Sequence, residues 1–428
     1  MPPIAERLLS RERLLRRRDA AERARRARGA PHTIHLFHQV DDPHGALLAA
    51  ALPGLVRRYD VVLDAQVVDA PADDVAPERA RLIAWARRDA ARLARRHGLA
   101  FDDAGASPPP TAIAATQARL VEAITAGRFL DEVGPATDAL WATAAQAAVD
   151  RTAAQSPAAP APTAAVAGHL ARAGALRTRL GHYLGATLYY AGEWYWGLDR
   201  LHHLEARLQS VGAARAGTTG AMFPPDVDPV EPFEVTRPAP IDFFFSLRSP
   251  YSALAAPRVL ALGRLAGVPV RLRWLLPMVM RGLPVPRAKR TYIAADAARE
   301  AHLRGLPFGR LADPVGRPTE RGLSLFPLAE REGVGDAYLL SFMRGVWAEG
   351  VDAGTDRGLR RVAERAGLDW AACRDALHDD GWRAVAEGHR EALFGHGLWG
   401  VPAFAVGGDA VWGQDRLWAV REALGGPR

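Results

Sequence analysis

Two short apolar runs stand 207 residues apart in the chain, each followed by a proline and a helix-forming stretch. Thr33–His38 reads TIHLFH and Ile241–Phe245 reads IDFFF, residue types that predict strands. Pro43 and Pro250 then sit at the first helical position, where a missing N–H costs least. A further strand, Val270–Trp274, follows the second run at the spacing of a βαβ unit. Residues 287–394 carry Ala-rich amphipathic segments broken at Gly333, Gly350 and Gly367, which predicts a series of helices. Ala403–Val406 and 410–412 predict a hairpin, and 415–424 predicts a closing helix. Strand, helix, strand, helical insertion, hairpin and helix make an α/β layout.

The pattern occurs twice. Ile34-His35-Leu36-Phe37-His38 and Asp42-Pro43-His44-Gly45 correspond to Ile241-Asp242-Phe243-Phe244-Phe245 and Ser249-Pro250-Tyr251-Ser252. Trp196-Gly197-Leu198-Asp199-Arg200-Leu201 is answered 216 residues later by Trp412-Gly413-Gln414-Asp415-Arg416-Leu417. Two anchors in the same order, with a small net insertion between them, predict a duplicated domain. Residues 211–237 are rich in Gly and Pro, lack apolar periodicity and read as a linker. The expected organisation is thus an arm over 1–30, one α/β domain over 31–210, the linker, and a second domain over 238–428. An Ala/Pro stretch at 153–166 reads as a loop inside the first copy.

Composition narrows the chemistry. At 428 residues the chain suits two or three domains. Cys373 is its single cysteine, which excludes an internal disulfide, a Cys-x-x-Cys redox centre and a four-cysteine zinc site. No apolar run is long enough to span a bilayer, and the N-terminus lacks a signal-peptide core. A cytoplasmic protein with no membrane partner is expected. Ten arginines against four acidic residues give positions 1–30 a charge of +6 out of the formal +7. Leu8, Leu9, Leu14 and Leu15 have helical spacing there, so a short helix that frays into a solvated or self-docked arm is expected. A polyanion contact is the other reading, but the arm has no interleaved aromatics or binding motif, so a nucleic-acid partner is not expected. Only Lys289 among 55 basic residues is a lysine, a bias that drains meaning from arginine richness.

The second copy resembles the 2-hydroxychromene-2-carboxylate isomerases, grouped with the kappa-class glutathione transferases in the DsbA-like branch of thioredoxin folds. Three separated motifs carry the resemblance over 240–425: Ser249-Pro250-Tyr251-Ser252 after a strand, Gly400-Val401-Pro402, and Trp412-Gly413-Gln414-Asp415-Arg416-Leu417. Lys289, Tyr292, Asp296 and Arg299 match at helical spacing between them. The resemblance implies tandem thioredoxin-like (DsbA-like) domains, each with a helical insertion, and glutathione as cosubstrate. Ser249 stands where redox members carry a sulfur at the head of a helix, so its hydroxyl would hold the glutathione thiolate. An ordinary N-cap serine is the alternative. Pro250 and Tyr251 belong to the same motif. Val401 would pair its backbone with the glutathione cysteine before a cis Pro402, and a plain turn proline is the alternative there. Trp412, Gly413, Gln414 and Asp415 would grip the γ-glutamyl end. Asp415 also has the place of a cap on the closing helix, and Trp412 that of a core residue.

The substrate side departs from the family. The loop 278–287 is short and lacks Asn, 313–319 lacks Asn as well, Ser246 replaces an acidic residue, and Arg281 is the available cation. In the first copy Asp42 replaces the serine and Ala186 the proline. A carboxylate repels a thiolate, so that half is expected to be a degenerate, non-catalytic copy. His35, His38, Asp41, Asp42 and His44 cluster in sequence, yet strand alternation sends His35 and His38 to opposite faces. Adjacent His202 and His203 on a helix are expected to diverge. No metal site is expected. The resulting reading is a glutathione-dependent isomerase acting on an aromatic or conjugated small molecule, in a monomer whose two copies form a pseudo-dimer. A kappa-like glutathione transferase and a non-catalytic binding protein are the alternatives.

Overall fold

The computed structural model describes residues 2–73, 75–149, 159 and 161–426, with side chains from residue 6 onward. The chain folds as two compact units, residues 17–225 and residues 226–428 together with 1–16.

α2 (Arg11–Ala27) crosses the division at residue 17, and the first unit goes on with β1 (Thr33–His38), α3 (Pro43–Arg58), β2 (Val62–Val67), α4 (Arg79–His97), α5 (Pro110–Thr125), α6 (Phe129–Val149), α7 (Ala164–Arg179), β3 (Thr187–Tyr190), β4 (Glu193–Trp196) and α8 (Leu201–Ser210). α1 (Pro2–Leu9) counts with the second unit. That unit continues with β5 (Ile241–Phe245), α9 (Pro250–Ala266), β6 (Val270–Trp274) and α10 (Arg287–Leu303). Its helical insertion runs on through α11 (Arg317–Ser324), α12 (Phe326–Arg331), α13 (Gly335–Ala348), α14 (Asp356–Arg365), α15 (Trp370–Ala376) and α16 (Trp382–Gly395). β7 (Ala403–Val406), β8 (Asp409–Trp412) and α17 (Leu417–Ala423) close it.

Each unit is built on a four-stranded mixed sheet, in the orders β2-β1-β3-β4 and β6-β5-β7-β8. In both sheets the first two strands are parallel and the last two pairings antiparallel. β5 carries aromatics on both faces because both are covered: Phe243, Phe244 and Phe245 are all buried. Its one charge, Asp242, is paired across the ladder with Arg273 at 2.7 Å.

The expected breaks in the insertion fall where the chain turns. Gly333, Gly350 and Gly367 have φ of 70°, 65° and 93°, a region side chains rarely adopt. The closing element differs from the expected single helix: residues 414–416 wind as a 3₁₀ turn before α17 begins. The arm does not fray after its leucines either. α2 continues to Ala27 with no buried residue, held by Glu22–Arg25 and Glu22–Arg26 pairs and by Arg18 against Glu193 at 2.7 Å. Arg25 and Arg26 together hold the Glu22 carboxyl down to about 2.

The stretch 211–237 divides at the unit boundary. Met222 N donates to Glu205 in the first unit, whereas Arg237 Nη2 donates to the Glu422 carbonyl in the second. Half of the Ala/Pro stretch 153–166, residues 153–158 and 160, lies outside the described residues, and its end is already helical, with Thr163 capping α7. Cys373 is buried, and burial pushes its thiol up to about 11. Among the described residues no helix is long and apolar enough to cross a membrane.

Candidate active site in the C-terminal unit

Strand register brings the three motifs together. Phe244 pairs with Ala403, and Ala403 with Trp412, so Ser249, Pro402 and Gly413 all leave the same end of the sheet. Gly413 N closes that end by donating to the Pro402 carbonyl at 2.9 Å. The Val401–Pro402 peptide bond is cis.

Ser249 is the N-cap of α9, and its Oγ accepts the Ser252 amide at 3.1 Å. Capping uses only the oxygen. Among the described residues the Ser249 hydroxyl donates to no protein acceptor, so its proton can serve a ligand beside the helix N-terminus. Pro250 occupies the first turn as expected. The Ser252 hydroxyl is buried without a hydrogen-bond partner among the described residues.

Behind this turn lies a buried polar relay. The Tyr251 hydroxyl donates to Asp296 Oδ2 at 2.8 Å, and Arg299 donates to Asp296 Oδ1 at 2.6 Å. Lys289, Tyr292, Asp296 and Arg299 follow one another at three- and four-residue spacing along α10, hence on one side of it. Lys289 is half-buried, and desolvation pushes its ammonium down to about 8. Leu254, Ala297 and Ala301 pack beneath with Tyr251, Leu306 and Phe308. Arg248 makes a bidentate pair with Asp313 at 2.7 and 2.8 Å, which fastens the segment 313–319 to the residue preceding Ser249. Arg281, the substrate-side cation of the sequence reading, lies with Nη2 3.5 Å from the Trp399 carbonyl.

The 412–415 turn departs from expectation in one respect. The N-cap positions of the 3₁₀ turn and of α17 are Gly413 and Arg416, and neither caps its element with a side chain. The intervening turn moves the helix start to Leu417, and the Asp415 carboxylate accepts from the Gln414 amide. Gln414 is itself buried between Arg258, which donates to its Oε1 at 2.5 Å, and Glu300, which accepts from its Nε2 at 2.8 Å. Sequence reasoning missed Arg258 and Glu300. The available signal was an arginine within the otherwise apolar Leu254-Ala255-Ala256-Pro257-Arg258-Val259-Leu260 run of α9.

Trp412 lies edge-on to Trp399 with ring centroids 5.2 Å apart, and its indole covers Gly400. A Cβ on Gly400 would stand 2.0 Å from Trp412 Cζ2. Gly400→Ala therefore displaces the indole, at a cost of about 2–3 kcal/mol in denaturant unfolding. Wild-type stability in that variant would contradict this placement of Trp412.

The DSBA-like thioredoxin domain family matches residues 240–425. This half of the chain is a DSBA-like thioredoxin domain. It is similar to 2-hydroxychromene-2-carboxylate isomerase of Pseudomonas putida, 28% identical over 193 residues that cover 43% of this chain and 94% of the relative. The enzyme of the same name from Pseudomonas sp. strain C18 is 25% identical over 195 residues, covering 44% and 90%. A solved 2-hydroxychromene-2-carboxylate isomerase structure aligns at 26% identity over 44% of this chain and 94% of its own, with a TM-score of 0.39.

The other unit carries different chemistry outside this thioredoxin domain. Asp42 caps α3, accepting the His44 amide at 2.9 Å, and burial pushes its carboxyl up. Ala186 has φ +51° and accepts Gly197 N at 2.8 Å. His35 pairs with Asp64 at 2.6 Å, whereas His38 is fully buried near Phe129 and desolvation pushes it down to about 4. The two histidines thus serve different surroundings. His202 and His203 do not diverge as expected: their rings lie 4.1 Å apart at the start of α8.

Proposed function

We propose that the C-terminal domain is a glutathione-dependent cis–trans isomerase acting on an aromatic or conjugated small molecule. The observation that carries the reading is Ser249, whose Oγ is spent as an acceptor while its proton remains available at a helix N-terminus. Bound glutathione would supply a thiolate that adds to a conjugated double bond and leaves again after rotation, with no net oxidation. Ser249 donates to that sulfur, and the N-terminal dipole of α9 favours its negative charge. Val401 and Pro402 present backbone to the cysteinyl part, Trp412, Gly413, Gln414 and Asp415 hold the γ-glutamyl part, and Pro250 with Tyr251 shape the turn between them. Similarity to two isomerases over nearly their whole lengths supports the reaction class.

The missing asparagines at 278–287 and 313–319 favour a second reading, a kappa-like transferase that stops after addition, or a domain that binds without turnover. Incubating the full chain with glutathione and a ring-opened chromene carboxylate separates these readings. Isomer that forms only in the presence of glutathione supports the proposal. A stable glutathione adduct supports the transferase, and unchanged substrate supports the binding protein.

The N-terminal unit belongs to the same proposal as a degenerate second copy. Its sheet order and pairing repeat those of the C-terminal unit, Asp42 caps where Ser249 caps, and Gly197 bonds Ala186 as Gly413 bonds Pro402. The proposal takes the protein to be cytoplasmic and a single-chain pseudo-dimer. Sedimentation of the full chain should give a monomer, and a stable dimer would count against that form.

A further inference from the structure

We infer that Asp228, in the segment preceding the matched domain, is a positioning residue for the 412–415 turn and acts on it through Arg258. The inference rests on the glutathione reading for its effect on binding, but its structural half stands alone. Arg258 is buried on α9 and uses its whole fork. Nε and Nη2 donate to the two Asp228 oxygens at 2.5 and 2.7 Å. Nη1 donates to the Gln414 carbonyl at 2.9 Å and to its side-chain oxygen at 2.5 Å.

A bidentate carboxylate fixes the guanidinium plane, so Asp228 sets the direction in which Nη1 meets Gln414. At its other end the Gln414 amide donates to Glu300, which also accepts from Arg304 at 2.7 Å. A cation at the oxygen and a carboxylate at the nitrogen allow the amide only one orientation. The backbone between Gly413 and Asp415 is thereby pinned at the Pro402 carbonyl, at Arg258 and at Glu300. Residues 240–425 match the family and Asp228 lies outside them, so this chain fixes one wall of the site with a residue from beyond the domain. Without Asp228 the long Arg258 side chain regains rotamer freedom, and the turn loses its fixed donor.

The test uses the full chain with Asp228→Asn and Asp228→Glu. Amide hydrogen exchange at 413–416 should quicken about tenfold in Asp228→Asn while β5 and β7 keep wild-type protection, and calorimetric glutathione affinity should fall about tenfold, the scale of one charge-assisted hydrogen bond. Asp228→Glu should restore much of both. Wild-type exchange at 413–416 in Asp228→Asn overturns the inference, as do faster exchange with unchanged glutathione affinity and equal loosening throughout the sheet. If the wild-type chain binds no glutathione, the proposed function fails, and the exchange pattern alone decides the role of Asp228.

Discussion

Ser249→Ala should leave the fold intact while glutathione-dependent turnover falls about 10- to 100-fold. Two effects compete in that variant. Loss of the N-cap oxygen costs about 1 kcal/mol of stability, because only the Ser252 amide loses its acceptor. Loss of the hydroxyl proton removes a hydrogen bond to a charged sulfur, about 1.5–3 kcal/mol, and this second effect falls on the thiolate alone. A bond made only to the charged form holds a pKa down, so its removal should raise the pKa of bound glutathione by about one to two units. Ultraviolet thiolate absorbance across a pH titration measures it. An unchanged titration with a small stability loss would make Ser249 a cap and nothing more.

Asp296→Ala should have the largest effect on stability. The carboxylate is 2% exposed and accepts from both Tyr251 and the buried Arg299. Removing one partner of a buried ion pair costs about 3–5 kcal/mol, a large fraction of the roughly 5–15 kcal/mol that holds a domain together. Tyr251 follows Ser249 by two positions, so glutathione affinity should fall with stability. Asp296→Asn keeps the shape and one acceptor and should lose less. Chemical denaturation of both variants checks the order, and equal stability of wild type and Asp296→Ala would mean that the relay supports nothing.

Most strands of the C-terminal domain were legible because its core is built on short aromatic or β-branched runs: Ile241–Phe245, Val270–Trp274 and Ala403–Val406 fall where the sequence places them. Glycine breaks were legible for a conformational reason, since Gly333, Gly350 and Gly367 all need positive φ. The α2 helix was underestimated because its support is electrostatic: without a buried face it gives no apolar period, and the Arg18–Glu193 pair joins positions remote in sequence. The same distance hid the clamp on Gln414, whose partners Arg258 and Glu300 come from two other helices. The closing helix starts at Leu417 rather than Asp415 because one 3₁₀ turn intervenes, a difference no periodicity records. Local residue type thus marked Ser249, Pro402 and Trp412 as candidates, and only the fold could reveal what holds the turn beside them.

Isothermal calorimetry of the full chain with glutathione tests the central claim most directly. One site per chain is expected, because Ser249 and the Val401–Pro402 pair occur in one half while Asp42 and Ala186 replace them in the other. The affinity should lie in the roughly micromolar to millimolar range of ordinary cosubstrates, and it should be weakened in Ser249→Ala. No heat at roughly ten millimolar glutathione, above that range, or two equal sites per chain, would contradict the account.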